Sequence, residues 1–447
     1  MFLPQFKPGM QYPAGGETMY RSFSSLIFLP FIFVLLAPAS VEAQAIPPEF
    51  QVNTTTAGNQ SGASIGMNGQ GLSVVVWSDG SVPPGRIASQ RYDQYGTPLG
   101  SETILSTQIG SSSPSAAMGP SHFVVAWDWM DMGVTEMVDG QLYDINGTPI
   151  GAQFSYLGRD PSVAMHSSGS FVLVWERVDT LNINIIGRRF DSFGNPVGSE
   201  FVVNSYIPDS QESPSVAMDA SGNFVVVWQS SGQDGSTTGI FGQRFDNLAN
   251  KIGPEFQVNT YTNLQQDNPD VAVDALGNFA VVWQSNQQDG SSQGVYAQRY
   301  TSAGIPVGGE FRINQETNGQ QGYPSVAMND GSDMIVAWAS QYQDGDNMGV
   351  FARRFDPTSA PLEDEFQVNV YTTNMQISED VGMDDSGDFV VIWESYGQDG
   401  DAYGEFGRRY IGFADVPTLS QWGLIALLLL VLTAGTLIVF RRRARSR

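Results

Sequence analysis

Seven times in this chain a short apolar run ends in tryptophan. Trp77, Trp127, Trp175, Trp228, Trp283, Trp338 and Trp393 follow one another at 50, 48, 53, 55, 55 and 55 residues. A period that regular marks stacked copies of one supersecondary unit. The fourth copy, around Asp219-Ala-Ser-Gly-Asn-Phe-Val-Val-Val-Trp-Gln-Ser230, shows the unit clearly.

That copy resolves into four short strands. Pro214 to Met218 places Val216 and Met218 on one side and small residues on the other. Phe224 to Trp228 is apolar without alternation, as expected of a strand covered on both faces. Ile240 to Phe245 is mixed, and Glu255-Phe-Gln-Val-Asn259 alternates at period two, the pattern of a half-exposed strand. Tight turns such as Asp191-Ser-Phe-Gly-Asn-Pro-Val-Gly198 and Asp356-Pro-Thr-Ser-Ala-Pro361 separate the third strand from the fourth.

Four strands in about 40 to 50 residues describe a propeller blade, whereas separate sandwich domains need about 100 residues each. No sustained helical period supports a helical solenoid. The predicted fold is therefore an all-β, seven-bladed β-propeller over residues 49–410.

Counting outer strands predicts how the ring closes. Versions of Glu49-Phe-Gln-Val-Asn53 recur at Glu102, Gln153, Glu200, Glu255, Glu310 and Glu365, so the first precedes Trp77 and none follows Trp393. Glu49 to Asn53 should accordingly pair beside Glu405 to Tyr410 and complete the seventh blade.

From Gln44 to Asp415 there are 14 basic against 44 acidic residues, a net of −30, which opposes nucleic-acid binding. The chain has no cysteine, which excludes disulfides and thiol catalysis, and only two histidines. His166 stands where later repeats have Asp219 and Asp274, so it is expected to be a turn residue.

The two ends differ from the repeats. Residues 1–43 read as a secretion signal: Arg21 precedes an apolar run from Leu26 to Ala37, and Val41-Glu42-Ala43 supplies small residues before Gln44. Translation from Met19 would leave a signal of ordinary length. A retained anchor is the competing reading, opposed by Pro30, Pro38 and the shortness of the run. At the other end, Trp422 to Phe440 is 19 uncharged residues, near the ~20 that cross a bilayer, and five arginines follow it. The positive-inside rule places those arginines on the cytoplasmic side.

Val416, Pro417, Thr418 and Leu419, followed by Trp422 and Gly423, the apolar span and the arginine tail, resemble the IPTL-CTERM sorting signal of Gram-negative bacteria, with Val for the usual first Ile. The resemblance covers residues 411–447. It implies an exosortase-type membrane transpeptidase as partner, passage through the inner membrane, and delivery to the cell surface or outside the cell. The plain alternative is an uncut stop-transfer anchor. Runs such as Gln233-Asp-Gly-Ser236 followed by Phe241-Gly-Gln-Arg-Phe245 also resemble tandem units of large bacterial secreted proteins, a likeness that brings no firm activity with it.

Loops after the second strand and between blades share one rim. They are the longer, polar ones: Gln233-Asp-Gly-Ser236, Gln288-Asp-Gly-Ser291, Gln343-Asp-Gly-Asp346 and Gln398-Asp-Gly-Asp401, beside Tyr206, Tyr261 and Tyr371. Asp234, Asp289, Asp344, Asp346, Asp399 and Asp401 are candidate ligands for calcium or sugar hydroxyls, with the tyrosines as stacking surfaces. Asp-Gly is equally a favoured hairpin turn, and no D-x-[DN]-x-[DN]-G loop is present.

No catalytic pair stands out. Glycosidases need two placed carboxylates, and the sequence carries no S-x-D-x-G-x-x-W, G-x-S-x-G or H-E-x-x-H pattern. The later repeats are near copies, where a catalytic site should make one blade unlike the rest. The expectation is a secreted or cell-surface scaffold without catalysis, for adhesion, matrix or glycan binding, with an extracellular glycan or protein as partner. An extracellular carbohydrate-active enzyme, glycosidase or lyase, is the alternative.

Overall fold

A computed structural model describes residues 44–412, except 83, 84, 107, 109, 132–134, 180 and 181. The predicted signal, sorting motif and apolar span lie outside the described residues. Among those described, every regular element is a strand, and the strands form seven antiparallel four-stranded sheets. Blade 4 runs from its innermost strand Gln211–Met218 through Phe224–Ser231 and Thr238–Phe245 to Lys251–Gln257. The outermost strand thus starts earlier than its alternation suggested, and Val258 and Asn259, both buried, follow it. In blade 3 the outermost strand Pro196–Val202 likewise takes in the end of the expected turn.

The core is a set of layers between blades. In blade 5, Val281 and Trp283 pack with Val225, Val227 and Ile240 of blade 4, while Ala280 and Val282 pack with Val326, Val336 and Trp338 of blade 6. Successive side chains of a strand point to opposite faces, so a blade covered twice needs an unbroken apolar run. All seven repeat tryptophans are fully buried. At about 25 cal/mol per Å², the 150–250 Å² of one buried aromatic is worth roughly 4–6 kcal/mol.

Each residue of Glu-Phe-Gln-Val-Asn has its own task, apart from the exposed Gln. The Phe ring covers a glycine on the neighbouring third strand: a Cβ on Gly242 would lie 2.8 Å from Phe256, and one on Gly407 2.7 Å from Phe50. The aliphatic residue enters the interblade layer, as Val52, Val203, Val258, Ile313 and Val368 do. Asn259 Oδ1 accepts the Ile240 N–H at 2.8 Å, and Asn53 Oδ1 accepts that of Glu405 at 2.8 Å. The Glu binds the loop after the preceding blade, where Glu310 accepts the Thr260 N–H at 2.6 Å.

The ring closes as the count of outer strands requires. Gln44–Gln51 pairs with Tyr403–Ile411, with Gln44 opposite Ile411 and Phe50 opposite Gly407. The seventh sheet therefore joins both ends of the described chain. Val52 enters a layer with Val390 and Ile392 of blade 7 and Ile65, Val75 and Trp77 of blade 1.

Candidate functional site

The upper rim, where the polar loops lie, surrounds the mouth of a central channel. Its local structure is set by a bulge near the start of each innermost strand. Ser113, Asp160, Ser213, Asn268 and Tyr323 have φ of 47 to 53° and each precedes a proline. A left-handed non-glycine residue costs about 1–3 kcal/mol. The cost is offset from the preceding blade, by the side chain next to its tryptophan. Asp128 accepts the N–H of Asp160 at 3.1 Å, Glu176 that of Ser213 at 2.7 Å, Gln229 that of Asn268 at 3.2 Å, and Gln284 that of Tyr323 at 3.0 Å.

This support is neutral in blades 4 and 5 and ionisable in blades 2 and 3, so carboxylates collect on one side of the mouth. Asp160, which borders the channel, sits against Glu176. Burial, with the charges of Glu176 and Asp128, pushes the Asp160 carboxyl up to about 7. Burial also raises Glu176, while Arg159 Nε, donating to it at 2.8 Å, and the Ser213 N–H favour its ionised form. The two neighbouring carboxyl groups are thus both raised and titrate as a pair. Across the mouth, burial pushes Glu394 up to about 7.

The hairpins of blades 2 and 3 are longer than the others, His122–Asp131 with Thr135–Asp144 and Phe171–Asp179 with Asn182–Phe190. Between them lies a cavity of about 610 Å³, bordered by exposed Met130, Leu157 and Val178 and by Glu136 and Arg177. Arg159 links this groove to the mouth, with Glu136 at 3.3 Å and Glu176 at 2.8 Å.

Deeper in the channel, one position per blade forms a belt: Ser64, Ser115, Ser162, Ser215, Asp270, Ser325 and Asp380. The serines at 64, 115 and 162 accept N–H groups of the next blade. Ser325 Oγ lies 3.2 Å from Asp270 and 2.9 Å from Asp380, so the two carboxylates are no farther apart than those contacts laid end to end. Val326 N–H and Ser215 Oγ also donate to Asp270, and Ile65 N–H and Ser64 Oγ to Asp380. Burial, then the charge of Asp270, pushes Asp380 up to about 6, and burial raises Asp270.

The predicted ligand residues are spread over four loops. Oδ1 of Asp234, Asp289, Asp344 and Asp399 accepts the N–H two residues on, as a turn-forming Asp does. Asp346 and Asp401 reach the next interblade loop, accepting from Asn374 at 2.8 Å and Gly58 at 3.0 Å. Among the described residues no three His, Cys, Asp or Glu side chains are arranged to hold a metal ion. His166 is a turn residue: Nδ1 accepts the Ser168 N–H at 3.1 Å, and Nε2 lies 3.0 Å from the Ala220 carbonyl.

No protein-family model and no curated protein matches the chain. Solved structures do. A protein of unknown function from Dyadobacter fermentans is 8% identical with a TM-score of 0.52, over 83% of this chain and 99% of that one. The polysaccharide lyase Uly1 is 10% identical with a TM-score of 0.50, over 80% of this chain and 91% of that one. The hydrazine synthase of Kuenenia stuttgartiensis is 12% identical with a TM-score of 0.49, over 76% and 94%. The first two likenesses establish a shared fold.

The expectation of a scaffold without catalysis is corrected here. Propellers of this build include a polysaccharide lyase, so seven similar blades do not argue against an active site. The blades also differ where chemistry would need them to. The residue after each tryptophan (Ser78, Asp128, Glu176, Gln229, Gln284, Ala339, Glu394) and the belt position were legible differences that comparison of whole repeats passed over.

Proposed function

We propose that this chain is an extracellular carbohydrate-active enzyme that cleaves a polysaccharide at the upper rim, with Asp160 and Glu176 as its acid–base pair. The observation that carries this reading is the pairing of those two carboxyl groups, Asp160 against Glu176, joined through Arg159 to the groove between blades 2 and 3. Glycan cleavage needs one group that gives a proton and one that takes or stabilises charge, and paired carboxyls with displaced pKa values supply both. Asp160, protonated near neutrality, is the acid. Glu176, fixed by Arg159 and the Ser213 N–H, is its partner. The fold shared with the polysaccharide lyase Uly1 supports the substrate class. Export by residues 1–43, and sorting through the tail at 411–447 by an exosortase-type transpeptidase, belong to the same proposal.

The test is a depolymerisation screen of the purified protein on neutral, acidic and amino-sugar polysaccharides, following reducing ends and the ultraviolet absorbance of unsaturated products. Asp160→Asn and Glu176→Gln should each lower turnover by about 10²-fold or more. Polysaccharide binding without cleavage, or cleavage indifferent to both substitutions, would return the chain to the adhesion or matrix reading.

A further inference from the structure

Beneath the Gln-Asp-Gly loops of blades 4 to 7 the fold repeats an arrangement that its turns do not account for. Near the end of the second strand of blade 5, Ser285 lies directly opposite Gly294 on the third strand. The Asp289 carboxylate lies over that glycine, and a Cβ on Gly294 would come within 2.8 Å of Asp289 Oδ2. Directly opposed residues share a face of the sheet with Cβ atoms about 5 Å apart, so the Ser285 hydroxyl and the carboxylate point into the same space. Gln288 belongs there too, because in blade 4 the equivalent Ser230 and Gln233 are in contact at 2.7 Å.

In blade 5 none of these three oxygens is satisfied. Asp289 Oδ2, Gln288 Oε1 and Ser285 Oγ are all buried without a hydrogen-bond partner among the described residues, and Ser285 is fully buried. Blade 6 repeats this in part, at Gln343 Oε1 and at fully buried Ser340 Oγ, while its Asp344 Oδ2 accepts from Asn369 at 3.0 Å; blade 4 repeats it at Asp234 Oδ2, and blade 7 at Gln398 Oε1, with Asp399 Oδ2 accepting from Asn53 at 3.4 Å. In blades 4, 6 and 7 a Cβ on Gly239, Gly349 or Gly404 would likewise meet Asp234, Asp344 or Asp399 at 2.5 to 2.7 Å. Among the described residues none of the four aspartates forms a salt bridge.

A buried polar group without a partner costs free energy, about 1–3 kcal/mol and more when it is charged. Three such oxygens, one of them a carboxylate, need positive charge more than another hydrogen bond, and oxygen-only surroundings suit a hard cation. We infer that blades 4 to 7 each hold one hard cation of the calcium or sodium class beneath the Gln-Asp-Gly loop. The ligands in blade 5 are Asp289, Gln288 and Ser285. One carboxylate and neutral oxygens make each site, which is why no trio of acidic side chains marks it. This inference does not depend on the catalytic proposal.

The test is equilibrium dialysis and calorimetry of the chelator-treated full-length protein with calcium, and in separate arms with sodium and potassium. Four cations per chain are expected, with a melting temperature that rises on binding. Asp289→Asn should lower the count from four to three. Gly294→Ala, whose methyl group displaces the carboxylate and leaves the strands in place, should do the same. Melting curves that overlay in all arms, with no cation bound, would show that buried water alone fills these spaces and would overturn the inference. A count of four unchanged by both substitutions would overturn it as well.

Discussion

Glu49 accepts the backbone N–H of Val370 at 2.7 Å, across 321 positions of the chain. The same carboxylate takes the side-chain amide of Gln398, so one residue at the start of the ring ties down two loops near its end. Glu49→Ala should cost about 1.5–3 kcal/mol, the usual worth of hydrogen bonds to a charged group. Deleting 44–53 should cost more and leave Tyr403–Ile411 as an open edge, promoting association. Thermal melting and light scattering of the two variants check the order.

Gly407→Ala is expected to destabilise by about 1–3 kcal/mol, because its methyl group would meet the Phe50 ring at 2.7 Å. Phe50→Ala removes that obstacle. In a double-mutant cycle by denaturant unfolding, the alanine at 407 should then cost much less, and additive effects would contradict the contact.

The belt aspartates should make stability depend on pH. Asp380 is raised from 3.8 to about 6, so the fold favours its protonated form. That contribution is fully present below about pH 4 and lost as pH rises through 6. The melting temperature should therefore fall between about pH 4 and 6, and Asp380→Asn should flatten that slope.

Catalysis by Asp160 as an acid predicts a rate that declines as pH rises through about 7, where the group loses its proton. The decline should be read in kcat/KM on the polysaccharide found by the screen. Asp160→Asn should abolish this limb as well as lower the rate.

Mature protein from a surface or extracellular fraction should end near residues 416–423, as determined by mass spectrometry. Recovery of the intact arginine tail would contradict processing at the motif.

How much of this was legible in the sequence depended on how local the cause was. The tryptophan period counts blades because each blade needs one apolar run buried on both faces, as Phe279-Ala-Val-Val-Trp283 is. The closing strand was legible because Glu49-Phe-Gln-Val-Asn53 carries the same contacts as Glu255-Phe-Gln-Val-Asn259. The acid cluster was not, because Asp128, Asp160 and Glu176 come from two blades and meet only through a bulge that repays its strain with a neighbour's side chain. Their signal was a departure from the repeat, whereas two of the acidic residues that stood out in the loops, Asp346 and Asp401, are occupied in joining one loop to the next.

The strand Tyr403–Ile411 is flanked on one side by Phe389–Tyr396 and on the other by Gln44–Gln51. The described chain leaves this strand at its lower end, next to Gly412. A pull applied there acts along the strand, at right angles to hydrogen bonds held on both edges, and loads them together in shear. Had the seventh blade been built from the end of the chain alone, that strand would have lain outermost and peeled away one bond at a time.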